Sequence, residues 1–141
     1  MTQQSAEIMT THGGEERDAR HLSAPLMRFA LATEAERLRG ERQYAEGDRN
    51  AATLAKIGWF RLTLVALQDG ATFSETDQRG SVALQTLEGR VTVRAADQTA
   101  EIGRGELAVV APGQPWEAVA TAESLLLVHL AWPPEPASAA I

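Results

Sequence analysis

The hydrophobic and polar positions along the chain divide it into a short helical part and a longer part with strand periodicity. From residue 53 onward, apolar residues come in short runs or alternate with polar ones. The segment Arg90–Arg94 alternates cleanly, which indicates a strand with one buried and one wetted face. The segment Ser124–Trp132 is almost continuously apolar, which predicts a central strand. The second part of the chain is therefore predicted to form a sheet structure.

Glycine and proline residues separate these runs and predict tight turns between seven or eight short strands. The clearest strands are predicted at Ile57–Leu67, Ser81–Leu87, Arg90–Arg94, Thr99–Ile102, Glu106–Ala111, Trp116–Ala120 and Ser124–Trp132. Such close spacing of short strands is typical of an antiparallel sandwich or barrel. The fold class is therefore predicted to be all-β.

A helix is predicted just before the strands, over Thr33–Gly40. Thr33 and Glu36 have the spacing of a capping box, in which each side chain accepts a hydrogen bond from the backbone N–H of the other residue. Gly40 is suited to end the helix. A further helical turn is predicted at Glu41–Glu46. The N-terminal part is thus predicted to add a short helical extension to the sheet.

The length of 141 residues suits a single domain with one hydrophobic core. Within the N-terminal part, Pro25–Leu31 is predicted as a short strand and Gly47–Asn50 as a loop. The predicted organisation is a flexible lead-in at residues 1–24, an extension of strand and helix at 25–52, a β-barrel at 53–133 and a loose tail at 134–141.

Composition and charge exclude several classes of function. The chain has no cysteine, which excludes disulfides, thiolate catalysis and cysteine-based zinc sites. Its formal net charge of -6 argues against a nucleic-acid partner, because phosphate binding needs clustered positive charge. No apolar run has the length of a membrane span, and the N-terminus has no apolar signal core. A cytoplasmic protein without a membrane partner is predicted.

Two glycine-containing blocks resemble the two sequence motifs of the cupin superfamily. Gly70 opens the first motif and Gly89 closes it, whereas Gly105 opens the second, with Pro112 and Gly113 in register. These residues form turns and therefore report on the fold rather than on the function. The resemblance implies a small, single-domain, RmlC-like jelly-roll β-barrel, an antiparallel double sheet with a short helical N-terminal extension. It also implies a homodimer, since small cupins often pair.

The positions that hold the metal in that family carry other residues in this chain. The two first histidine positions fall on Glu75 and Asp77, the glutamate position on Val82, the third histidine position on Trp116 and the asparagine position on Ala120. A cupin metal site needs neutral imidazoles and a carboxylate, and valine and tryptophan have no lone pairs to replace them. The sequence therefore predicts no metal and no other cofactor.

The interior of the predicted barrel is expected to be largely apolar. Strand alternation turns Leu84 and Thr86 inward together with Val82. Trp116 lies where the mouth of the barrel is expected, and its ring is predicted either to fill the cavity or to stack on a ligand. The predicted partner is a small apolar or aromatic molecule.

Four polar residues are further candidates for lining the ligand site. Glu75 and Asp77 would share one face of a strand as an acid/base pair, or else belong to a solvated loop. His129 is the best candidate for a titrating group, although a lone histidine in an apolar strand is more often a hydrogen-bonded core residue. Arg61 would bind a carboxylate if it faced inward, but a solvated, outward orientation is favoured.

Three functions remain open from the sequence. The first is a metal-free module that binds or senses a small molecule. The second is a cupin-class enzyme, isomerase or oxygenase-like, that uses a non-standard set of Glu75, Asp77 and His129. The third is a structural homodimer with a filled barrel. The candidate interface residues are Trp59, Phe60 and the segment Pro25–Leu31. No catalytic constellation can be recognised in the spacing, which favours the first function over the second.

Overall fold

The computed structural model describes residues 22–75 and 79–132. Within these ranges two helices precede nine strands: α1 (Leu31–Gly40), α2 (Arg42–Gly47), β1 (Arg49–Ile57), β2 (Phe60–Leu67), β3 (Thr72–Phe73), β4 (Ser81–Glu88), β5 (Arg90–Ala95), β6 (Gln98–Gly103), β7 (Leu107–Val110), β8 (Trp116–Ala120) and β9 (Ser124–Ala131). Neither helix is long and apolar enough to cross a membrane.

The strands form two antiparallel sheets. The five-stranded sheet has the order β1-β2-β9-β4-β7, and the four-stranded sheet has the order β3-β8-β5-β6. One buried cluster joins the facing sides of the two sheets, with Val65 and Leu84 from the first and Val93 and Ala118 from the second. The predicted all-β double sheet with a short helical extension is confirmed.

The two helices cover part of the outer face of the five-stranded sheet. Leu38 and Tyr44 are buried against Leu54 of β1 and Leu64 of β2 in a second apolar cluster. Strand β2 is therefore buried on both faces, because its odd-numbered residues point between the sheets and its even-numbered ones point to the helices. β9 is likewise buried on both faces, with its even-numbered residues between the sheets and its odd-numbered residues Leu125 and Leu127 towards the helices. This explains why both strands lack polar alternation.

The first helix begins earlier than predicted. It starts at Leu31, and its N-cap residue Ala30 makes no side-chain capping bond, so the predicted capping box is wrong. Phe29 and Leu31, at the start of the helix, pack against the second apolar cluster. Residues 25–31 consequently contain no strand. The predicted end at Gly40 and the second helical segment are confirmed.

The single strand predicted over Ile57–Leu67 is a hairpin. β1 ends at Ile57, Gly58 turns the chain with a φ of 55°, and β2 begins at Phe60. The turn dipeptide Gly58-Trp59 lacks the usual Asn-Gly or Asp-Gly signal, which is why the pattern looked continuous. The first half of the hairpin starts at Arg49, so residues 49–52 belong to the sheet rather than to the extension.

The remaining strands lie close to their predicted positions, and one additional strand was not predicted. β3 has only two residues, Thr72 and Phe73, and it pairs with Val119 and Ala118 of β8. A strand of two residues has no measurable period, so it leaves no signal in the sequence.

Candidate functional site

The side chains that alternation turns inward on β4 are buried between the two sheets. Val82, Leu84 and Thr86 are 2%, 0% and 0% exposed. The Thr86 hydroxyl donates to the backbone carbonyl of Ile102 at 3.3 Å, so this polar group is satisfied within the core. Leu84 and Thr86 lie deep in the barrel, whereas Val82 is the second residue of its strand and lies towards one end. We call that end of the barrel the mouth.

The side chains of Arg61, Glu75 and Trp132 lie at the mouth together with Val82. Arg61 and Val82 pair with the same residue of β9, Leu130, from its two sides. An Arg61 terminal nitrogen, Nη2, lies 3.2 Å from Glu75 Oε2. The Arg61 guanidinium also lies over the ring of Trp132, 5.2 Å from the ring centroid. This is the geometry of a cation–π contact.

Trp116 closes the opposite side of the mouth. It begins β8, is 6% exposed and belongs to the interior cluster. Its ring centroid lies 6.0 Å from that of Phe73, at an interplanar angle of 51°. Phe73 precedes Glu75 by two residues, so the aromatic pair and the Arg61–Glu75 ion pair lie at the same end of the barrel. The mouth therefore combines aromatic walls with one ion pair.

Several donor groups at the mouth are buried but lack a hydrogen-bond partner in the described part of the chain. They are Arg61 Nε, Trp116 Nε1 and Trp132 Nε1, with the hydroxyl Oγ1 of Thr63 as a fourth such atom. Thr63 is 6% exposed and shares the inward face of β2 with Arg61. Buried indole N–H groups usually find an acceptor. The mouth thus presents donors that the surrounding protein leaves unsatisfied.

Arg61 faces inward, contrary to the outward orientation favoured from the sequence. It has the same strand parity as Val65 and Leu67, which lie in the interior cluster, and the β2–β9 register has no irregularity between them. Its side chain is only 24% exposed. The charge is tolerated there because Glu75 neutralises it and the Trp132 ring covers it.

His129 does not line the interior, so this part of the predicted ligand site is wrong. Its neighbours Val128 and Leu130 are in the interior cluster, which turns His129 to the outer face of the five-stranded sheet. There its ring lies 6.4 Å from that of Phe60. Burial lowers the pKa of His129, which favours the neutral ring at physiological pH.

The predicted non-standard set of Glu75, Asp77 and His129 is not supported. Asp77 lies outside the described residues, so the proposed Glu75–Asp77 pair has no structural account. Glu75 instead forms an ion pair with Arg61, and His129 lies on the other side of the sheet. Among residues 22–75 and 79–132, no three His, Asp or Glu side chains come together in a way that would hold a metal ion.

The residues at the positions that the cupin resemblance assigns to metal ligands do not fit a metal either. Val82 stands at the glutamate position and Trp116 at the third histidine position, and both are packed in the interior cluster. Val82 has two methyl groups and Trp116 has an indole N–H donor, whereas a metal cation needs ligand atoms with lone pairs. No chemistry that depends on the usual cupin metal follows from this donor set.

Three residues of the mouth, Thr63, Phe73 and Trp132, were missed in the sequence. Phe73 lies in the two-residue strand β3, which leaves no periodic signal. Thr63 could have been found from its parity with Arg61, had the inward orientation of Arg61 been known. Trp132 follows β9 at the end of a long apolar run, where it gave no sign of a role beyond the core. Only the tertiary contact with Arg61 reveals it.

A groove lies beside the first strand and shares Phe73 with the mouth. It has a volume of about 260 Å³ and is lined by Gln43, Arg49, Asn50, Ala51, Val65 and Phe73. β1 and β3 are the edge strands of the two sheets, so the groove marks the place where the barrel opens laterally. None of the residues predicted to bind a ligand lines it.

The fold is found in solved structures, although no family model and no curated protein matches the sequence. The chain is similar to a cupin superfamily protein from Desulfitobacterium hafniense, with 17% identity and a TM-score of 0.58 over 62% of this chain and 81% of that chain. It is similar to an RmlC-like cupin from Shewanella frigidimarina, with 18% identity and a TM-score of 0.56 over 63% and 80% of the two chains.

An enzyme shares the same fold. Salicylate 1,2-dioxygenase from Pseudoaminobacter salicylatoxidans, solved as adducts with gentisate, is 17% identical with a TM-score of 0.63, over 78% of this chain and 34% of that chain. Similarity at such identities establishes the fold, and the fold is compatible with many functions. The structure is therefore that of a cupin-type jelly-roll barrel.

Proposed function

We propose that this protein is a metal-free binding module that holds a small, largely apolar molecule at the mouth of the barrel. The observation that carries the proposal is the set of buried N–H donors without partners on Arg61, Trp116 and Trp132. A buried donor without an acceptor costs about 1–3 kcal/mol. A ligand that brings acceptors to this end of the barrel would remove that cost and bury its apolar part against the indole rings.

The proposed ligand contacts the mouth rather than the deep interior. Leu84 and Thr86 are fully buried, and the Thr86 hydroxyl already has a protein acceptor. These two residues therefore act as packed core. Of the ligand-site residues predicted from the sequence, Val82, Trp116, Arg61 and Glu75 remain in the proposed site.

A thermal-shift screen with small apolar compounds that carry hydrogen-bond acceptors tests the proposal. A compound at a hundredfold excess over its dissociation constant adds about 2.7 kcal/mol to the free energy of unfolding. Trp116→Phe keeps an aromatic ring but removes one donor, and it is expected to reduce the shift. Trp59→Phe is the matched control, because Trp59 is 56% exposed and lies in the β1–β2 turn.

Two results would favour the other functions. An absence of any shift across chemically diverse compounds would favour a barrel whose interior is permanently filled. Elemental analysis of protein purified without chelators is the second check, and a stoichiometric transition metal would favour the cupin-class enzyme with a non-standard site.

The homodimer stays a prediction. We propose that it would use the part of the outer face of the five-stranded sheet that the helices leave uncovered. Val109, Ala83 and His129 are neighbours in register across β7, β4 and β9, and Phe60 contacts the His129 ring. The exposed apolar side chains near this row are Ile57, Trp59, Phe60, Leu107 and Val109.

A further inference from the structure

We propose that the ligand is a small carboxylic acid with an aromatic or otherwise flat apolar body, and that Glu75 occupies the place of its carboxylate until the ligand binds. This inference rests on the proposed function and names the ligand class for the same site. It follows from how Arg61 is paired, from which donors are left unsatisfied and from the shape of the walls.

The first observation is that Glu75 uses only part of the binding edge of Arg61. The ion pair joins Glu75 Oε2 to Arg61 Nη2 at 3.2 Å, while Arg61 Nε is buried without a partner. Nε and an adjacent terminal nitrogen together form the planar fork that binds a carboxylate through two parallel hydrogen bonds. Glu75 thus leaves half of this fork unsatisfied, and a free carboxylate that is not tethered to β3 would engage both nitrogens.

The second observation is that the unsatisfied polar groups at the mouth are mainly donors. The indole N–H groups of Trp116 and Trp132 can donate but cannot accept. An ionised carboxylate has only acceptor sites, so it matches this set better than an amide or a hydroxyl group, which would bring a further donor. The positive charge of Arg61 further favours an anion once Glu75 has moved away.

The third observation concerns the walls of the mouth. The guanidinium of Arg61 lies over the Trp132 ring, and on the opposite side the rings of Trp116 and Phe73 pack against each other. Val82 belongs to the same buried cluster as Trp116 and is 2% exposed, so it forms the packed apolar floor beneath them. Flat, apolar walls around one charged group favour a ligand with an aromatic body and a single acidic head.

The Glu75 side chain can move away from Arg61 because it is not fully buried in the core. Its side chain is 23% exposed, and Arg61 is the partner identified for it among the described residues. A ligand carboxylate that takes over Arg61 therefore exposes Glu75 to solvent, where a carboxylate is well hydrated. Glu75 then acts as an internal competitor that lowers the apparent affinity for acids.

Benzoate and benzamide are a matched pair of probes, because they differ only in the acidic head. Their affinities are measured by isothermal titration calorimetry on the full chain, with quenching of tryptophan fluorescence as a second readout. The wild-type protein is expected to bind benzoate more tightly than benzamide. Glu75→Gln removes the competitor and one negative charge, so the ratio of the two affinities is expected to rise by about tenfold or more.

Three further variants make the test specific. Glu101→Gln removes the same charge from an exposed ion pair with Arg90 on the four-stranded sheet, and it is expected to leave the ratio as in wild type. Arg61→Gln is expected to abolish the preference for benzoate. Arg61→Lys keeps the charge but not the fork, so it replaces Arg61→Gln if that variant does not fold, and its preference is expected to be smaller than that of wild type.

Several outcomes would overturn the inference. If benzamide binds as well as benzoate and Glu75→Gln leaves their ratio unchanged, the carboxylate assignment is wrong while binding at the mouth still stands. If neither probe binds to Glu75→Gln, the assignment is wrong whatever a wider screen finds. An equal rise in the ratio for Glu75→Gln and Glu101→Gln would show a general effect of net charge instead of competition for Arg61.

Discussion

At the scale of single residues, two glycines with the same backbone conformation have different roles in the barrel. Gly89 and Gly105 have φ values of 85° and 83°, in the left-handed region that disfavours other residues. A Cβ atom on Gly89 would lie 2.3 Å from the Glu123 carbonyl oxygen and from Ser124 Oγ, whereas one on Gly105 would meet open space. Both glycines make turns, but only Gly89 also allows a close approach between β-strand ends.

Alanine at these two positions separates conformation from contact. Gly105→Ala is expected to cost about 1–2 kcal/mol of unfolding free energy for the left-handed backbone alone. Gly89→Ala carries the same cost plus that of a steric clash, which typically adds about 1–3 kcal/mol. Denaturant unfolding of the two variants measures the difference, and equal destabilisation would contradict the close approach at Gly89.

The stability of the protein at alkaline pH is expected to depend on Tyr44. Its hydroxyl donates to Glu123 Oε2 at 2.5 Å, and the side chain is 7% exposed. Burial, together with the hydrogen bond to Glu123 and its negative charge, raises the pKa of Tyr44 to about 12. The folded state therefore holds this proton more tightly than the unfolded state, whose phenol has an ordinary pKa of about 10.

The contribution of Tyr44 is complete below about pH 10 and decreases as the pH rises towards 12. Tyr44→Phe is expected to flatten the stability curve in this range and to cost about 1 kcal/mol at neutral pH. Urea unfolding as a function of pH measures both effects. Tyr44 is the only tyrosine in the chain, so phenolate absorbance reports its titration directly, and an unshifted titration would contradict the assignment.

At the scale of elements, the helices form a second layer that covers the outer face of β2 and β9 over part of their length. Leu38 of α1 is 2% exposed and packs in the cluster that includes Leu64 of β2 and Leu125 of β9. Isolated helices of this length are marginal in water. The helices are therefore stabilised by the sheet, and the sheet is shielded by the helices in return.

Removing the helix side of this contact tests the second layer. Leu38→Ala is expected to lower the unfolding free energy by about 2–5 kcal/mol, the usual range for a truncated core leucine. Leu26→Ala is the control, because Leu26 is 89% exposed, and its effect is expected to stay within about 0.5 kcal/mol. Similar effects of the two substitutions in thermal or urea unfolding would show that α1 is not docked as described.

At the scale of the whole molecule, the helices leave part of the sheet uncovered. Val109 on the edge strand β7 is 69% exposed, and it lies in register with Ala83 and, through it, with His129. Burial lowers the pKa of His129 and so favours its neutral form. The row of residues therefore carries no charge near neutral pH. If the predicted homodimer forms through this face, a charge in the row would have to be desolvated at the interface.

Val109→Asp is therefore expected to convert a dimer into a monomer in analytical ultracentrifugation. Thr99→Asp adds the same charge at an exposed position on β6, the edge strand of the other sheet, and is expected to leave the dimer intact. A monomeric wild-type protein would refute the dimer itself. Dissociation by both substitutions would place the interface elsewhere or point to an effect of net charge.

The sequence by itself determined most of the strands. It also determined which residue types stand at the positions that the cupin resemblance assigns to metal ligands. Arg90–Arg94 alternates, and Gly89 and Gly105 mark turns, because these patterns depend on the geometry of a few neighbouring residues. The presence of Val82 and Trp116 at metal positions likewise depends only on residue identity and spacing. Residue type and the spacing of near neighbours in the sequence were sufficient to predict these features.

Only the tertiary structure decided which way Arg61 and His129 point and that Trp132 completes the mouth. Both polar residues lie in strands that are apolar on two faces, so no alternation in the sequence distinguishes inside from outside. Their directions depend on which side of each strand packs against the second sheet and which side packs against the helices. That choice arises only when distant segments assemble, and it brings Arg61, Glu75 and Trp132 into contact.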